Sequence, residues 1–569
     1  MQGMKCAGSK VLIFRSIGIL ALGSIFFILG CSGGGGGSGS GSSGVTTTSN
    51  ICTTNENGAT NKLGVHRLMR FTITKSQNVT ITATKTSGLS VSDPDLSLYK
   101  KGVRVGLAEG TAQGTETLTV GVTAGEYVLD VLEYNYTSAS ATPAITCFNI
   151  SVTYSAGSKK SEPIVTEKQL AQTEDKSGSS VSSCSSAGEI TVTGKVTYDL
   201  VAHNAGTNAL DYGAITQEPV KGAVIETRCA GNMYDTTVTD ASGNYSLTAS
   251  ANVNNFVRVY AQMLDTTAPG TWNFKVVDNT SSGALYAMDG TTINSGANVA
   301  NHNLNAASGW GGSSYNATRV AAPFAILDSV YTSFQKVLSV DANAAFPTLN
   351  INWSVNNIAT SGNKAAGQIT TSHFDGSAIY ILGHENNDTD EYDGHVIIHE
   401  WGHYFEHNFS RSDSIGGSHG TGNILDIRLA FGEGFGNAYS GIASGDSNYR
   451  DSTGNQQGSG FGFDVNSNSC TNAGWYSECS VQALLYDFNT QINFSALYTV
   501  LTNAQKNTSS VTSIFSFVKA LKDNNVGSVS AINTLLTGQS IDSITDIYGD
   551  SELSNNPGSL DQLPVHSQL

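Results

Sequence analysis

Hydrophobic residues run along this chain in three different rhythms. Residues 17–29 are almost continuously apolar, a run too short to span a bilayer comfortably, and Lys5, Lys10 and Arg15 precede it. Over 51–156 apolar and polar residues alternate in short runs, such as Arg70-Phe71-Thr72-Ile73-Thr74, Val79-Thr80-Ile81-Thr82-Ala83 and Tyr127-Val128-Leu129-Asp130-Val131, with Gly, Asn and Asp between them. A period of two sends alternate side chains to one face, so this region predicts an antiparallel β-sandwich. Residues 157–188 are rich in Ser, Lys, Glu and Thr, lack apolar periodicity and predict a linker. Alternation resumes over 189–305 and predicts a second sandwich. After Gly309-Trp310-Gly311-Gly312 the spacing of apolar residues becomes helical, first over 321–338 and then in longer patterns to the C-terminus. The predicted fold class is therefore multidomain, with two all-β sandwiches followed by an α+β, mainly helical domain at 310–569.

Composition narrows the setting. Charged residues are 13% of the chain, against a usual share of about 25%, and 29 Lys+Arg against 46 Asp+Glu leave a net charge of −17. With no basic cluster beyond the N-terminus, nucleic acid is excluded as a partner, because neutralising phosphates requires Lys and Arg. Abundant uncharged, turn-forming residues suit an exported β-rich protein. The apolar run closes on Ile28-Leu29-Gly30-Cys31, which resembles a bacterial lipobox. That resemblance implies a signal peptide over 1–30, cleaved before Cys31, and lipid on Cys31 as the link to a membrane. The Gly/Ser-rich stretch within 31–50 then acts as a flexible tether, and Ser32 fits outer-membrane sorting in the cell envelope. The alternative is an ordinary signal or anchor with Cys31 incidental. Of eight cysteines, Cys6 falls in the signal and Cys31 at the lipid site. Six remain, and in an exported chain pairing within regions predicts Cys52–Cys147, Cys184–Cys229 and Cys470–Cys479.

Chemistry concentrates at His399-Glu400-Trp401-Gly402-His403, which follows apolar Val396-Ile397-Ile398 and an acidic opening over 388–393. On a helix, residues i and i+4 lie one turn apart on one face, so His399 and His403 can share a metal ion. Glu400 then stands beside them as a base for water. His407 continues the i+4 series, but three successive turns span about 12 Å along the axis, too far for one ion. A metzincin would need Gly at 406 and His at 409, where Glu406 and Phe409 stand. The third ligand expected is Glu433, in Phe431-Gly432-Glu433-Gly434-Phe435-Gly436-Asn437, where flanking glycines would let a second helix approach the metal closely.

His-Glu-x-x-His followed by Gly-Glu-Gly-aromatic resembles the gluzincin metallopeptidases of the fungalysin and thermolysin type, mainly across 388–490. The resemblance implies a zinc endopeptidase acting on protein or peptide substrates. It makes His399, His403 and Glu433 the zinc ligands and Glu400 the general base. Asn437 stands where those families carry an Asp that orients a zinc histidine, and Asp393 is a further candidate support for the site. The oxyanion histidine has no counterpart in the segment 474–487, so Tyr476 is the first substitute donor and His419, in Gly417-Ser418-His419-Gly420, the second. The segment 377–383 reads as a strand, either an edge that pairs with substrate or a buried central strand. The acidic loop 386–393 is either a calcium site, though its spacing fits no EF-hand, or a solvated helix start. Asp93-Pro94-Asp95-Leu96-Ser97-Leu98-Tyr99 with Ala124-Gly125-Glu126-Tyr127-Val128-Leu129 resembles pre-peptidase-type modules of secreted bacterial proteases, the alternative being a generic β-spacer. Asp240-Ala241-Ser242-Gly243-Asn244-Tyr245 is similar to the turn of carboxypeptidase regulatory-like sandwiches. Against the peptidase reading stands a surface adhesion or binding lipoprotein whose metallopeptidase-like domain is inactive.

Overall fold

Alternation in the first region becomes two sheets laid face to face, antiparallel except where Ser567–Gln568 pairs in parallel with His66–Ile73. The computed structural model describes residues 45–111, 113–137, 144–155, 184, 188–550, 552 and 567–568. The apolar run, Cys31, the tether up to residue 44 and nearly all of the linker lie outside these described residues. Among the described residues, no helix is long and apolar enough to cross a membrane. One sheet of the sandwich has the order Val45–Thr54, Ile145–Ser155, Gln77–Ser87, Thr115–Val122; the other runs Ser567–Gln568, His66–Ile73, Gly125–Glu133, Pro94–Lys100, Val103–Ala108. Alternate residues Val79, Ile81, Leu96, Leu98, Leu129 and Ile150 fill the space between them and are fully buried. Cys52 lies opposite Cys147 on the neighbouring strand and is bonded to it. Cys184–Cys229 and Cys470–Cys479 are also bonded, so all three expected pairs form.

The second alternating region gives a sheet of Thr216–Pro219, Glu189–Leu200 and Asn244–Ser250, with Leu304–Ala306 added in parallel to Glu189–Leu200. Facing it, Asn232–Val238, Ala223–Cys229, Asn255–Asp265 and Trp272–Asp278 pair antiparallel. The expected break at 305–310 falls inside a hydrogen-bonded sheet. Trp272–Asp278 pairs in parallel with Leu349–Trp353, which pairs in parallel with Ile379–Ile381. Ile379–Ile381 in turn has the hairpin strand His373–Phe374 on its other side. The 377–383 segment is thus an interior strand of three residues rather than an edge open to substrate, and the edge position belongs to His373–Phe374.

Of the helices that pack into the core, four position the site: α1 (Ala321–Leu338), α2 (Gly394–Phe409), α3 (Ile427–Ser444) and α4 (Glu478–Gln491). On α1, Phe334 packs on Trp272 and Phe274 of the shared sheet, with ring centroids 5.0 and 5.3 Å away. On α2, Trp401 and Phe405 stack on Tyr439 of α3. Burying each such side chain is worth about 2–3 kcal/mol. Asp426 caps α3 by accepting from the Arg428 amide, and Gly445, in the left-handed region, ends it.

The first sandwich is locked to α3 by a buried charge knot. Arg428, in the first turn of α3, is 3% exposed and pairs at 2.9 Å with both Asp426 and Asp130 of the strand Gly125–Glu133. His66 shares the Asp130 carboxylate. Burial alone would raise the Asp130 pKa, but His66 and Arg428 hold it well below the usual carboxylate range.

Candidate metal centre

Helix α2 presents His399 and His403 one turn apart toward Glu433 of α3. His399 Nε2 is 3.0 Å from His403 Nε2, and Glu433 Oε2 is 3.2 Å from the first and 3.4 Å from the second. A tetrahedral ion with bonds of about 2.05 Å has ligand–ligand edges of about 3.3 Å, so these three atoms stand at the spacing zinc requires. His399 Nδ1 donates to Asn437 Oδ1 at 2.8 Å, which leaves Nε2 free as a ligand atom. Asn437 Nδ2 in turn donates to Gln482 Oε1 of α4 at 2.9 Å. Glu400 accepts from the backbone N–H of Phe374 at 2.8 Å, and this bond aims its carboxylate from the hairpin side of the cleft.

Glycines set the distance between the two helices. A Cβ on Gly436 would stand 2.8–2.9 Å from three ring atoms of His399, and one on Gly402 would stand 3.3 Å from the Gly436 Cα. One on Gly434 would meet Val481 of α4 at 2.6 Å, while Gly432 has room for one. Charge is balanced within the cluster. Burial opposes the charged form of His403, yet Glu433, Glu400 and Glu406 overcome it and raise the imidazole to about 10. Burial likewise opposes the Glu433 carboxylate, and the histidines around it pull its pKa well below the usual range.

The two oxyanion candidates separate. His419 comes to the cluster, with Nε2 3.2 Å from Glu433 Oε2 and Nδ1 bonded to Glu478 Oε2 at 2.8 Å. Burial lowers the His419 pKa, but the Glu478 hydrogen bond and the charges of Glu433 and Glu478 outweigh it and raise it. Tyr476 does not line the cleft; its hydroxyl donates to the Ala473 carbonyl at 3.2 Å and its ring packs on Trp475. Asp393 also lies away from the cluster. It precedes α2 fully buried, taking hydrogen bonds from the Ser452 amide and hydroxyl and a 2.6 Å contact from His203, so it anchors the start of the helix. Glu478 and Gln482, which hold His419 and Asn437, carry no motif that marks them in the sequence.

The loop bearing His419 is gripped by the first sandwich. Lys62 Nζ donates to the Ser418 carbonyl at 3.1 Å and to Asn423 Oδ1 at 2.8 Å, and the Asn61 amide also reaches the Ser418 carbonyl. The Leu63 amide donates to the Ile424 carbonyl and the Asp426 amide to the Asn61 carbonyl. His399, Glu400, His419, Asn437 and Glu478 line one cleft of about 540 Å³, the size that takes peptide side chains and small ligands. The acidic residues before α2 also gather there. Asp388 and Asp390 meet Asp451, which lies 63 and 61 residues further along the chain, with one oxygen of each within 4.8 Å of the others.

No protein-family model matches the chain, and no curated protein matches it. Among solved structures, it is similar to the pre-peptidase C-terminal domain of collagenase from Bacillus anthracis, at 10% identity over 18% of this chain and 88% of that one, with a TM-score of 0.14. It is also similar to BcpA, the major pilin subunit of Bacillus cereus, at 12% identity over 46% and 69%, TM-score 0.09. A third likeness is to dimeric latent PorU from Porphyromonas gingivalis, at 10% identity over 54% and 30%, TM-score 0.12. These likenesses are too slight to bear on the site, whose reading rests on its own geometry.

Proposed function

We propose that this protein is an exported, lipid-anchored zinc endopeptidase that hydrolyses peptide bonds of protein or peptide substrates. The observation that carries the reading is the convergence of His399 Nε2, His403 Nε2 and Glu433 Oε2 at 3.0–3.4 Å, with Glu400 lining the same cleft as His399. A zinc ion held by these three residues supplies a Lewis acid for the scissile carbonyl and acidity to water. Glu400, fixed through the Phe374 amide, takes the proton from the attacking water and delivers it to the leaving amine. His419, oriented by Glu478, donates to the oxygen on which negative charge builds. Asn437 keeps His399 in the tautomer that the ligand role demands. The gluzincin resemblance in the sequence agrees with these roles. Lipid on Cys31 would hold the enzyme at the cell envelope.

The test is cleavage of unfolded casein by the purified protein, with zinc content measured in parallel, for the wild type and Glu400→Gln. The expected result is one zinc per chain in both, cleavage by the wild type that chelation stops, and a loss of about 10²–10⁴ in rate for the variant. Bound zinc without cleavage of casein or of a broad peptide library would favour a binding lipoprotein, and absence of zinc would refute the ligand set.

A further inference from the structure

The cleft extends past the His–Glu cluster along the hairpin Asn448–Thr453 and Ser459–Asp464. Tyr449 pairs with Phe463 and Asp451 with Phe461, two residues along each strand, so all four side chains share one face of the hairpin, and that face lines the cleft. Tyr449 sits 6.5 Å from His399, ring to ring, and Asp451 follows about 7 Å further along the strand. There Asp451 meets Asp388 and Asp390. Among the described residues, no Lys or Arg lines the cleft.

The carboxylates are short of partners. Asp390 is 3% exposed; one of its oxygens accepts from Ser372 and the other, Oδ1, has no hydrogen-bond partner among the described residues. Asp388 takes a hydrogen bond from Gln457 at 3.1 Å and others from the Thr389 amide and the Thr453 hydroxyl, but none from a cation among the described residues. Three acids brought together beside an apolar sleeve, one of them with a buried oxygen unpaired among the described residues, favour a cationic group between them. Calcium takes six to eight oxygen ligands and magnesium keeps several waters, whereas three side chains are on offer here, two of them with an oxygen already engaged. A Lys or Arg side chain fits both halves of the site, its aliphatic stem along Val396, Tyr449 and Phe463 and its charged head among the acids.

We propose that Asp388, Asp390 and Asp451 form a specificity subsite that receives a basic side chain of the substrate next to the scissile bond. This rests on the peptidase reading above. The experiment compares the zinc-loaded protein on matched peptides carrying Lys, Arg, norleucine or Glu at each position flanking the bond. At one position, kcat/KM for Lys or Arg should exceed that for norleucine by at least about tenfold, and Asp390→Asn with Asp451→Asn should bring the ratio within about threefold of unity. Equal rates for Lys and norleucine at every position in the wild type would overturn the subsite while leaving the peptidase reading intact. Calorimetric binding of the same peptides to zinc-loaded Glu400→Gln separates the two ideas. A Lys preference in binding, with no cleavage by the wild type, supports the subsite and sinks the peptidase. A titration with calcium alone completes the test. Stoichiometric binding tighter than about 1 mM that the Asp variants abolish would assign the acids to a metal and overturn the proposal.

Discussion

Replacing Gly436 by alanine puts a methyl carbon 2.8 Å from Cε1 and 2.9 Å from both nitrogens of His399. Ordinary contact begins near 3.4 Å, so the ring or α3 must withdraw by about 0.6 Å. Zinc–nitrogen bonds tolerate about 0.2 Å, and α3 cannot retreat without carrying Glu433 with it. One ligand bond, and the Asn437 hydrogen bond behind it, should therefore fail. The expected loss of zinc affinity is at least about 100-fold, or about 2.8 kcal/mol. Gly432→Ala provides the control on the same helix. Its new carbon would meet Glu406 and Ser414 at 3.5 Å, ordinary contact, so zinc affinity should stay within about threefold, with a helix gain of up to about 1 kcal/mol. Both variants would be stripped of metal and titrated with zinc against a chromophoric chelator, with circular dichroism confirming that each is folded. If Gly436→Ala binds zinc as tightly as the wild type, His399 is not held in the position the ligand set requires, and the metal centre as drawn is wrong.

His419→Ala should lower kcat by about 10²–10³ with zinc retained, and Glu478→Gln should move it the same way by less. Tyr476→Phe should leave kcat within about threefold, since its hydroxyl serves only the Ala473 carbonyl; steady-state kinetics on one peptide decides among the three. Asp451 is pushed up to about 8 in the folded chain, by burial first and then by Asp393 and Asp388. A carboxyl raised above its unfolded value stabilises fully below about pH 4 and loses that contribution as pH climbs through 8. Asp451→Asn should therefore raise stability at pH 9 relative to pH 5 by up to about 4 kcal/mol. Thermal melts at the two pH values check the sign, and a larger gain at pH 5 would refute it. Arg428→Met leaves Asp130 and Asp426 buried without their cation and should cost about 3–5 kcal/mol in urea unfolding.

How much of this was legible in the chain follows from the range of each signal. Strand and helix types, the three disulfides and the approach of Glu433 to His399 and His403 rest on local periodicity, on pairing within a region and on a compact motif. Residues that meet across long separations left no such trace. Asp451 joins Asp388 only because a hairpin folds over the cleft, and Glu478 reaches His419 from the first turn of α4. A lone acid in a helical pattern looks the same whether it faces solvent or an imidazole. Asp393 misled for the converse reason: it lies near the motif in sequence, but its place before α2 points it back to His203 and Ser452. The parallel pairing of Trp272–Asp278 with Leu349–Trp353 was invisible because alternation specifies a strand and not its neighbour.

That pairing bears on where the chain can be cut. A protein beginning at residue 310 would lose the strand beside Leu349–Trp353 and expose its row of backbone donors and acceptors as a raw sheet edge, an invitation to aggregate. It would also lose Lys62 and Asn61, which steady the His419 loop, and the Asp130 carboxylate beside Arg428. Helices α2 and α3 are thus not a cassette that could be moved to another host protein by cutting the chain at a linker. The smallest expressible unit begins with the first sandwich, and the β-regions ahead of α2 and α3 belong to the same packed body as the His–Glu cluster rather than being accessories strung before it.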